Sequence, residues 1–261
     1  MKKNYHTHTV RCNHADGTER EYIEKALEAG FVTLGFSDHS PYIFKGDYYS
    51  SFRMRPEELD GYVETLRALR EEYKDRIEIL IGLEAEYYPE NWQDYISFIR
   101  GKGVEYLILG QHYPKGEYPG ALYSGRESDD RQRVEDYVTS IVDGVRTGLF
   151  SYVAHPGLIR FSGDRLYFEK KLDQMVTEVQ REGVPFEINL LGLREGRHYP
   201  SEFVLSILQR HHAEVILGSD AHEPRWVYHE ETVKRAERIA LHYGLRITEE
   251  IDVGRLKRHG I

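Results

Sequence analysis

Short apolar runs alternate along the chain with longer segments in which apolar residues recur every three or four positions. The short runs are typical of buried strands, and the longer segments are typical of amphipathic helices. This alternation predicts a mostly parallel sheet covered by helices. The predicted strands are Lys3–Thr7, Val32–Ser37, Ile77–Glu84, Tyr106–Gln111, Tyr152–Ala154, Pro185–Asn189 and Glu214–Ser219.

Two helices and two long loops stand out between these strands. Pro56–Tyr73 places a proline in the first turn and then an apolar stripe along one face. A second stripe runs from Val134 to Val145, and Gly148 is expected at the C′ position that ends that helix. The segments Tyr42–Arg55 and Lys115–Asp130 are rich in Tyr, Gly and Asp, and we expect them to be functional loops.

Length and composition favour one soluble domain. The chain has 261 residues, of which 40% are hydrophobic and 30% charged, so we expect a single barrel domain over residues 1–261. No apolar run approaches the roughly 18 residues of a membrane span, and no apolar segment follows the first lysines. Cys12 is the only cysteine, which excludes an intrachain disulfide, and we expect a cytoplasmic protein. The net charge of -9 argues against a nucleic-acid partner.

Polar residues with metal-binding side chains follow the predicted strands. The carboxyl ends of parallel barrel strands open on one face, where active sites are built, so we expect these residues to converge. They are His6 and His8, Asp38 and His39, Glu84 and Glu86, His112, His155, Asn189, and finally Asp220 and His222.

The distribution of histidine makes a metal centre more plausible than a set of structural imidazoles. His6 and His8 stand two residues apart on a strand and therefore point to one face, where they can bind one ion together. Of the 13 histidines, seven lie at or just after predicted strand ends: His6, His8, His14, His39, His112, His155 and His222. We expect His211, His212, His229, His242 and His259 at the surface, and His198 in a loop that borders the site.

This ligand set exceeds the needs of a single ion. A catalytic zinc takes about three protein ligands, so more than one ion is expected. Mixed imidazole and carboxylate ligands suit Zn, Mn or Fe. A carboxylate such as Glu84 or Asp220 can bridge two ions, and ions about 3.5–4 Å apart can hold a hydroxide nucleophile for phosphoryl hydrolysis.

Six separated motifs resemble, in order, those of the polymerase and histidinol phosphatase (PHP) family. They are "YHTHTVRCNHADGT", "LGFSDHSP", "IGLEAEYY", "LILGQHYP", "VAHPGLIR" and "ILGSDAH", and they span residues 5 to 222. The resemblance is strongest to the histidinol-phosphate phosphatase subgroup, especially in "RMRPEELDGYVETLRALREEYKDRIEILIGLEAEYYPE" and "LLGLREGRHYPSEFVL". It implies a distorted (β/α)7 TIM-like barrel that carries three divalent ions at the carboxyl ends of its strands.

The resemblance also implies a set of ligands for each ion. The first ion would take His6, His8, Glu84 and Asp220, the second Glu84, His112 and His155, and the third His14, His39 and His222. Glu84 rather than Glu86 matches the family's Gly-x-Glu position. We expect Asp38 to orient an imidazole rather than to bind metal.

A phosphate monoester also needs donors for its outer oxygens, and the planar fork of arginine suits them. Arg160 and Arg197 are our candidates, followed by Arg194. Asp220, His222, His198 or water would protonate the leaving group. We expect Tyr113, Lys115, Tyr118 and His198 to contact the substrate. Gly157 departs from the family, because relatives often carry a polar residue there.

The family resemblance implies that the substrate is L-histidinol phosphate, whose hydrolysis is a step of histidine biosynthesis, and we expect a metal-bridging hydroxide to attack it. Three alternatives stay open: a PHP-type nuclease or phosphoesterase acting on another ester, an amidohydrolase-like hydrolase, and a module with purely structural metals. Cleavage of single-stranded DNA would identify a nuclease, for which the acidic chain lacks a basic groove. An amidohydrolase would leave His14, His39 and Glu84 unexplained, and it would usually carry a lysine or another bridging residue at the fourth strand, where this chain has Gly110, Gln111 and His112.

Overall fold

In the computed structural model, which describes residues 1–44 and 46–261, eight parallel strands form one sheet in chain order. The strands are β1 Lys3–Asn4, β2 Thr33–His39, β3 Glu78–Ala85, β4 Tyr106–Leu109, β5 Phe150–Val153, β6 Phe186–Asn189, β7 Glu214–Gly218 and β8 Arg246–Thr248. Each strand pairs with its neighbours in the order of the chain. The seven strands expected from the apolar runs are all present, and their carboxyl ends share one edge.

The first and seventh strands meet where the sheet curls. Thr7, beyond the end of β1, pairs in parallel with Ala221, beyond the end of β7. The His8 amide donates to the Ala221 carbonyl at 3.0 Å. At the other end of β7, Glu214 pairs with Arg246 of β8. The eighth strand is therefore an addition beside β7 that the apolar pattern did not predict, because its three residues are all partly or fully exposed.

Nine α-helices cover the described part of the chain: α1 Glu19–Glu28, α2 Leu59–Tyr73, α3 Trp92–Ile99, α4 Arg131–Arg146, α5 Arg165–Arg181, α6 Leu190–Glu195, α7 Glu202–Arg210, α8 Glu230–His242 and α9 Arg255–Arg258. The expected helix over Pro56–Tyr73 begins with a 3-10 turn at Pro56–Glu58 and continues as α2. Gly148 lies one residue past the C-cap of α4 with a φ of +75°, as its expected C′ role requires.

Aromatic side chains fill the barrel interior below the site. The Tyr106 hydroxyl donates to the Tyr5 carbonyl at 2.8 Å from a fully buried position. A Cβ at Gly35 or Gly82 would overlap the Tyr106 side chain, so glycine is required at both positions. The packed interior leaves the carboxyl ends of the strands as the face on which polar side chains can gather.

Both predicted long loops connect elements at that face. Within the described residues, the loop after β2 and the loop after β4 form neither helix nor strand over 42–44, 46–55 and 115–130. Lys45, inside the first loop, lies outside the described residues. Among the residues described, no helix combines the length and apolar character needed to cross a bilayer.

Candidate metal centre and active site

A cavity of about 450 Å³ opens at the carboxyl ends of the strands. Such a volume lies in the range of small-molecule sites, which is roughly 300–1,000 Å³. Predicted ligands lining it are His14, His39, Glu84, His112, His155, Asp220 and His222. The expected convergence of strand-end residues is therefore observed, although some of them, such as His14 and His222, are more than two hundred positions apart in the chain.

Glu84, near the end of β3, lies at the centre of the cluster and is buried. Its Oε2 is 2.9 Å from His39 Nδ1. The Nε2 atoms of His6 and His8 each lie 3.6 Å from the same oxygen. One carboxylate oxygen is thus shared by imidazoles from two neighbouring segments of the barrel.

The other Glu84 oxygen faces the opposite side of the cavity floor. Oε1 is 2.7 Å from His155 Nε2 and 3.8 Å from His112 Nε2. Gly110, just after β4, leaves the room for this carboxylate, because a Cβ there would overlap Glu84 Oε1. Each oxygen of Glu84 therefore has its own group of imidazoles, as a bridging carboxylate requires.

Asp220 closes the cluster from the end of β7. Its Oδ1 lies 3.1 Å from His8 Nε2 and 3.6 Å from His6 Nε2. Asn189 Nδ2 donates to its other oxygen at 3.0 Å. Asp220 has a φ of +47° and His155 a φ of +31°. Such conformations are costly for residues with a side chain and concentrate at functional sites.

Two further imidazoles, His14 and His222, form a group with His39 at the mouth of the cavity. The ring of His14 lies 4.5 Å from that of His222 and 5.4 Å from that of His39, between centroids. One nitrogen from each ring lies within 4.8 Å of the others, close enough to share an ion. This is the set implied by the resemblance for a third ion.

Most of the histidines have one ring nitrogen held by a backbone carbonyl or by a carboxylate outside the metal cluster. The Nδ1 contacts are His6 with Glu187 at 2.7 Å, His8 with Asp38 at 3.4 Å, His14 with the Cys12 carbonyl at 2.7 Å, His112 with Glu86 at 3.2 Å and His222 with the Asp220 carbonyl at 3.1 Å. Histidines that bind metal almost always use their other nitrogen in this way. The arrangement fixes each ring and leaves Nε2 free toward the centre.

The free atoms fit a cluster of divalent ions. Buried nitrogens and oxygens without a hydrogen-bond partner among the described residues include His6 Nε2, His8 Nε2, His39 Nδ1, Glu84 Oε2, His155 Nδ1 and His222 Nε2. Buried polar atoms are otherwise almost always satisfied, so their concentration here indicates an absent ligand. Imidazole and carboxylate donors suit Zn, Mn or Fe.

The environment of the cluster shifts the pKa values of its imidazoles in opposite directions. Burial alone would raise the pKa of the Glu84 carboxyl, but the surrounding imidazoles outweigh burial and hold that pKa well below its usual range. Burial lowers the pKa of His6, but three carboxylates, led by Glu187, raise it to about 10. Burial, reinforced by the charge of His8, lowers the pKa of His222 to about 3. A cation bound beside His6 would offset the same carboxylate charge.

Glu187 on β6 is a site residue that sequence reasoning missed. It accepts from the His155 amide at 2.9 Å as well as contacting His6. A Cβ at Gly218 would overlap its Oε1, so a glycine on β7 makes room for it. Strand periodicity could have identified Glu187, because it lies two residues before the strand-end residue Asn189 and its side chain therefore points to the same face of β6 as that of Asn189.

Two of the expected arginines line the cavity. Arg197 Nη1 donates to the Tyr199 hydroxyl at 2.8 Å, and Nη2 lies 2.7 Å from Glu195. The Arg194 guanidinium lies 4.2 Å from the centroid of the Trp226 ring. Tyr113 also lines the cavity, as expected.

The structure places Arg160 and His198 outside this cavity, contrary to expectation. The Arg160 guanidinium pairs with Glu127 at 2.7 Å, and the side chain is half exposed on a neighbouring groove. His198 Nε2 lies 2.8 Å from the Leu158 carbonyl and faces the same groove. Both residues lie in loops, where tertiary contacts, and not strand periodicity, determine the direction of a side chain.

Lys115 and Tyr118 were also expected to contact the substrate and lie elsewhere. Lys115 Nζ pairs with Asp136 of α4 at 3.0 Å. Tyr118 is 55% exposed and faces a separate surface pocket. The loop after β4 instead brings Tyr123 to the cavity.

Sequence reasoning also missed the remaining walls of the cavity. The aromatic residues that line it, besides Tyr113, are Phe52, Tyr123, Tyr199 and Trp226, and the acidic ones outside the metal cluster are Asp16, Glu195 and Glu223. The chain has twenty tyrosines, and the sequence offers no criterion for deciding which of them line the cavity. The cavity thus combines a polar floor with aromatic and acidic walls.

This chain belongs to the PHP domain family, whose model matches residues 4–190. The match includes every cluster residue up to His155 and ends before Asp220 and His222. The predicted family is confirmed.

Similar proteins include histidinol-phosphatases and others that are named only as probable phosphatases. The protein named "Probable histidinol-phosphatase" of Deinococcus radiodurans is 30% identical over 229 residues, covering 84% of this chain and 85% of that protein. The histidinol-phosphatase of Bacillus subtilis (strain 168) is 24% identical over 254 residues, covering 85% and 94%. The fold is also similar to the crystal structure of the Lactococcus lactis histidinol phosphate phosphatase, which is complexed with zinc, L-histidinol and phosphate. The TM-score is 0.73 at 19% sequence identity, and the match covers 96% of this chain and 98% of that one.

Proposed function

We propose that this protein is a metal-dependent phosphomonoesterase that hydrolyses L-histidinol phosphate to L-histidinol and phosphate. The observation that carries the proposal is Glu84, each of whose oxygens faces its own imidazole group at the floor of a cavity. The names of the relatives support the choice of substrate. We place the reaction in the cytoplasm, where amino acids are synthesised, with a small molecule and no nucleic acid as its partner.

We assign three divalent ions to the ligand sets that the family resemblance implies: His6, His8, Glu84 and Asp220 for the first, Glu84, His112 and His155 for the second, and His14, His39 and His222 for the third. Close donor atoms support the third set and the trio His6, His8 and Glu84 of the first. Donor atoms of Glu84 and His112 also group with His39, and those of His155 group with His6 and Asp220, so neighbouring ions would share these residues. When bound, such ions lower the pKa of water and offset the charge that develops on the phosphate. Zn, Mn and Fe all suit these donors.

The arginines at the cavity provide the remaining contacts to phosphate. Arg197 and Arg194 can direct N–H groups to the outer oxygens, and Tyr113 and Tyr123 line the cavity beside them. Of the candidates for protonating the departing alcohol, Asp220 and His222 carry no proton at neutral pH, because the surrounding imidazoles hold the pKa of Asp220 well below its usual range and burial lowers that of His222 to about 3. We therefore assign this step to water and keep Asp220 and His222 as metal ligands. His198 is not assigned this step, because its Nε2 is engaged by a carbonyl outside the cavity.

The walls suit an alcohol that carries a ring and positive charge. The aromatic side chains of Phe52 and Trp226 offer apolar surface at the cavity against which a ring can pack. The carboxylates of Asp16 and Glu223 lie at the same cavity. L-histidinol, with an imidazole and an amine, has the chemistry that these walls would bind.

The test is a panel of phosphomonoesters and single-stranded DNA, assayed on protein whose metal content has been counted. We expect rapid phosphate release from L-histidinol phosphate and none from metal-free protein. Preference for DNA or nucleotides would contradict the proposal and favour a PHP-type nuclease or another phosphoesterase.

Two arginine variants refine the same assay. Arg197→Met should reduce kcat/KM by roughly 10²–10³-fold, as removal of a donor to a charged transition state commonly does. Arg160→Met is the matched control and should leave kcat/KM nearly unchanged, because its guanidinium pairs with Glu127. An equal loss in both variants would mean that Arg160 reaches the substrate.

A further inference from the structure

Arg53 is a buried cation at the rim of the site that belongs to no expected ligand group. It lies in the loop after β2 and is completely buried. Its Nη2 pairs with Glu86, and its Nε donates to Glu117 at 2.8 Å. The flat guanidinium also lies 4.5 Å from the centroid of the Phe52 ring, which lines the cavity. A buried guanidinium is retained only with such partners, because desolvation of an unpaired charge is costly.

Glu86 connects Arg53 to the metal cluster. One Glu86 oxygen, the same that pairs with Arg53, lies 3.2 Å from His112 Nδ1. The other oxygen accepts from the Tyr113 amide at 2.9 Å. Because Glu86 holds His112 Nδ1, the ring presents Nε2 toward Glu84. The position of this imidazole thus depends on a carboxylate that is itself held by Arg53.

Glu117 connects Arg53 to the second long loop. Its other oxygen accepts from the Tyr48 hydroxyl at 2.7 Å, so both loops meet at one buried carboxylate. The Arg53 carbonyl in turn accepts a hydrogen bond from Nδ2 of Asn13 at 3.1 Å. Asn13 directly precedes the candidate ligand His14 in the chain. The guanidinium therefore lies where the loop after β2, the loop after β4 and the segment after β1 converge.

We propose that Arg53 is a positioning residue for the active site. Through Glu86 it holds His112 in the orientation that binds the second ion, and through Glu117 it holds the two loops that form one wall of the cavity. This inference rests on the proposed function for its metal, but not on the identity of the substrate. Lysine cannot replace arginine here, because a point charge cannot contact both carboxylates with the same planar fork.

The test compares zinc affinity, by competition with a chelator, and steady-state kinetics in Arg53→Lys, Glu86→Gln and Glu117→Gln. We expect Arg53→Lys and Glu86→Gln to weaken zinc binding at one site by about 10–100-fold, the usual effect of losing a partner that orients a ligand. Glu117→Gln weakens only the contact between Arg53 and the loop after β4, so it should raise KM and increase protease cleavage within 113–130 while zinc affinity stays unchanged.

The double variant Arg53→Lys/Glu86→Gln should bind zinc only slightly more weakly than Glu86→Gln alone, because both changes act on the same series of contacts.

The matched control is Arg70→Lys, which removes a similar fork between Arg70 and Glu105 near the amino end of β3. It should lower thermal stability without changing zinc affinity or KM. If Arg53→Lys behaves like Arg70→Lys, Arg53 is merely structural and the inference is overturned. If the wild-type protein binds zinc but ignores L-histidinol phosphate, the proposed substrate fails while the zinc data still decide the role of Arg53.

Discussion

Individual side chains at the site are held by small residues and by partners deeper in the barrel. Glu84 fits because Gly110 has no Cβ, and Glu187 fits because Gly218 has none. Each of these carboxylates lies beside an imidazole that it orients or shares. Glycine at a strand end is usually explained by backbone freedom, but at these two positions it is explained by the volume that a neighbouring carboxylate occupies.

Gly110→Ala tests this explanation directly. The added methyl group would displace Glu84, and a misplacement of about 1 Å at reacting groups can cost roughly 10²-fold in rate. We therefore expect a loss of this order in kcat/KM together with reduced metal content. Gly61→Ala in α2 is the control, since a Cβ there meets nothing within 4 Å. Unchanged metal content in Gly110→Ala would count against a bridging Glu84.

Loading of the site with metal should release protons. The carboxylates around His6 raise its pKa to about 10 despite burial, so this ring is protonated at neutral pH before metal binds. A metal ligand must be neutral, and zinc affinity should therefore increase between pH 6 and pH 8 by about tenfold per pH unit for each proton displaced. Zinc titration calorimetry in two buffers of different ionisation enthalpy measures the proton count. A count of zero would contradict the expected role of His6.

The secondary-structure elements contribute to the site mainly through their ends. Strand ends supply ligands, while helix caps determine where the chain returns to the sheet. The clearest cap is at α1, where the Thr18 hydroxyl accepts from the Glu21 amide and the Glu21 carboxylate accepts from the Thr18 amide at 2.6 Å. This capping box follows the segment that carries His14, so it begins the helix immediately after a candidate ligand.

Thr18→Ala should destabilise the fold without affecting chemistry. Loss of an N-cap side chain typically costs about 1 kcal/mol. Chemical denaturation would measure the free energy of unfolding, and kcat should remain near the wild-type value. Ser97→Ala, on an exposed position of α3, is the control and should change stability by less than about 0.5 kcal/mol. An equal effect in both variants would argue that the cap contributes nothing.

The whole molecule brings ligands from both ends of the chain to one face. We propose that residues 1–261 form one domain, since both termini are tied to the sheet. The Lys2 amide donates to Glu249 at 2.7 Å, and Thr7 pairs with Ala221 where the sheet curls. Ligands that lie far apart in the chain are then fixed only when the sheet closes, so metal binding and folding are coupled.

Chelation should therefore lower thermal stability as well as activity. One ion present at a hundred times its Kd contributes about 2.7 kcal/mol. At this chain length, its loss corresponds to a fall in Tm of roughly 5–10 °C. Differential scanning calorimetry with and without EDTA, followed by zinc addition, measures the effect. A Tm that EDTA leaves unchanged would mean that the cluster binds no ion tightly.

The amino-acid pattern alone was enough to predict the seven strands, the family and the residues placed at strand ends. In a strand, side chains alternate between two faces, and all parallel strands end at one edge, so His6, His8 and Glu84 could be assigned to one site without coordinates. The same rule would have found Glu187, had it been applied within β6.

Contacts in the folded chain decided the rest. Loop residues have no periodicity, and their direction is determined by partners distant in the sequence: Glu127 draws Arg160 away from the cavity, and Asp136 does the same for Lys115. The buried position of Arg53 likewise depends on Glu86 and Glu117, which come from two other segments. Such positions follow from packing and charge pairing between segments that only the curled sheet brings together, which no local pattern encodes.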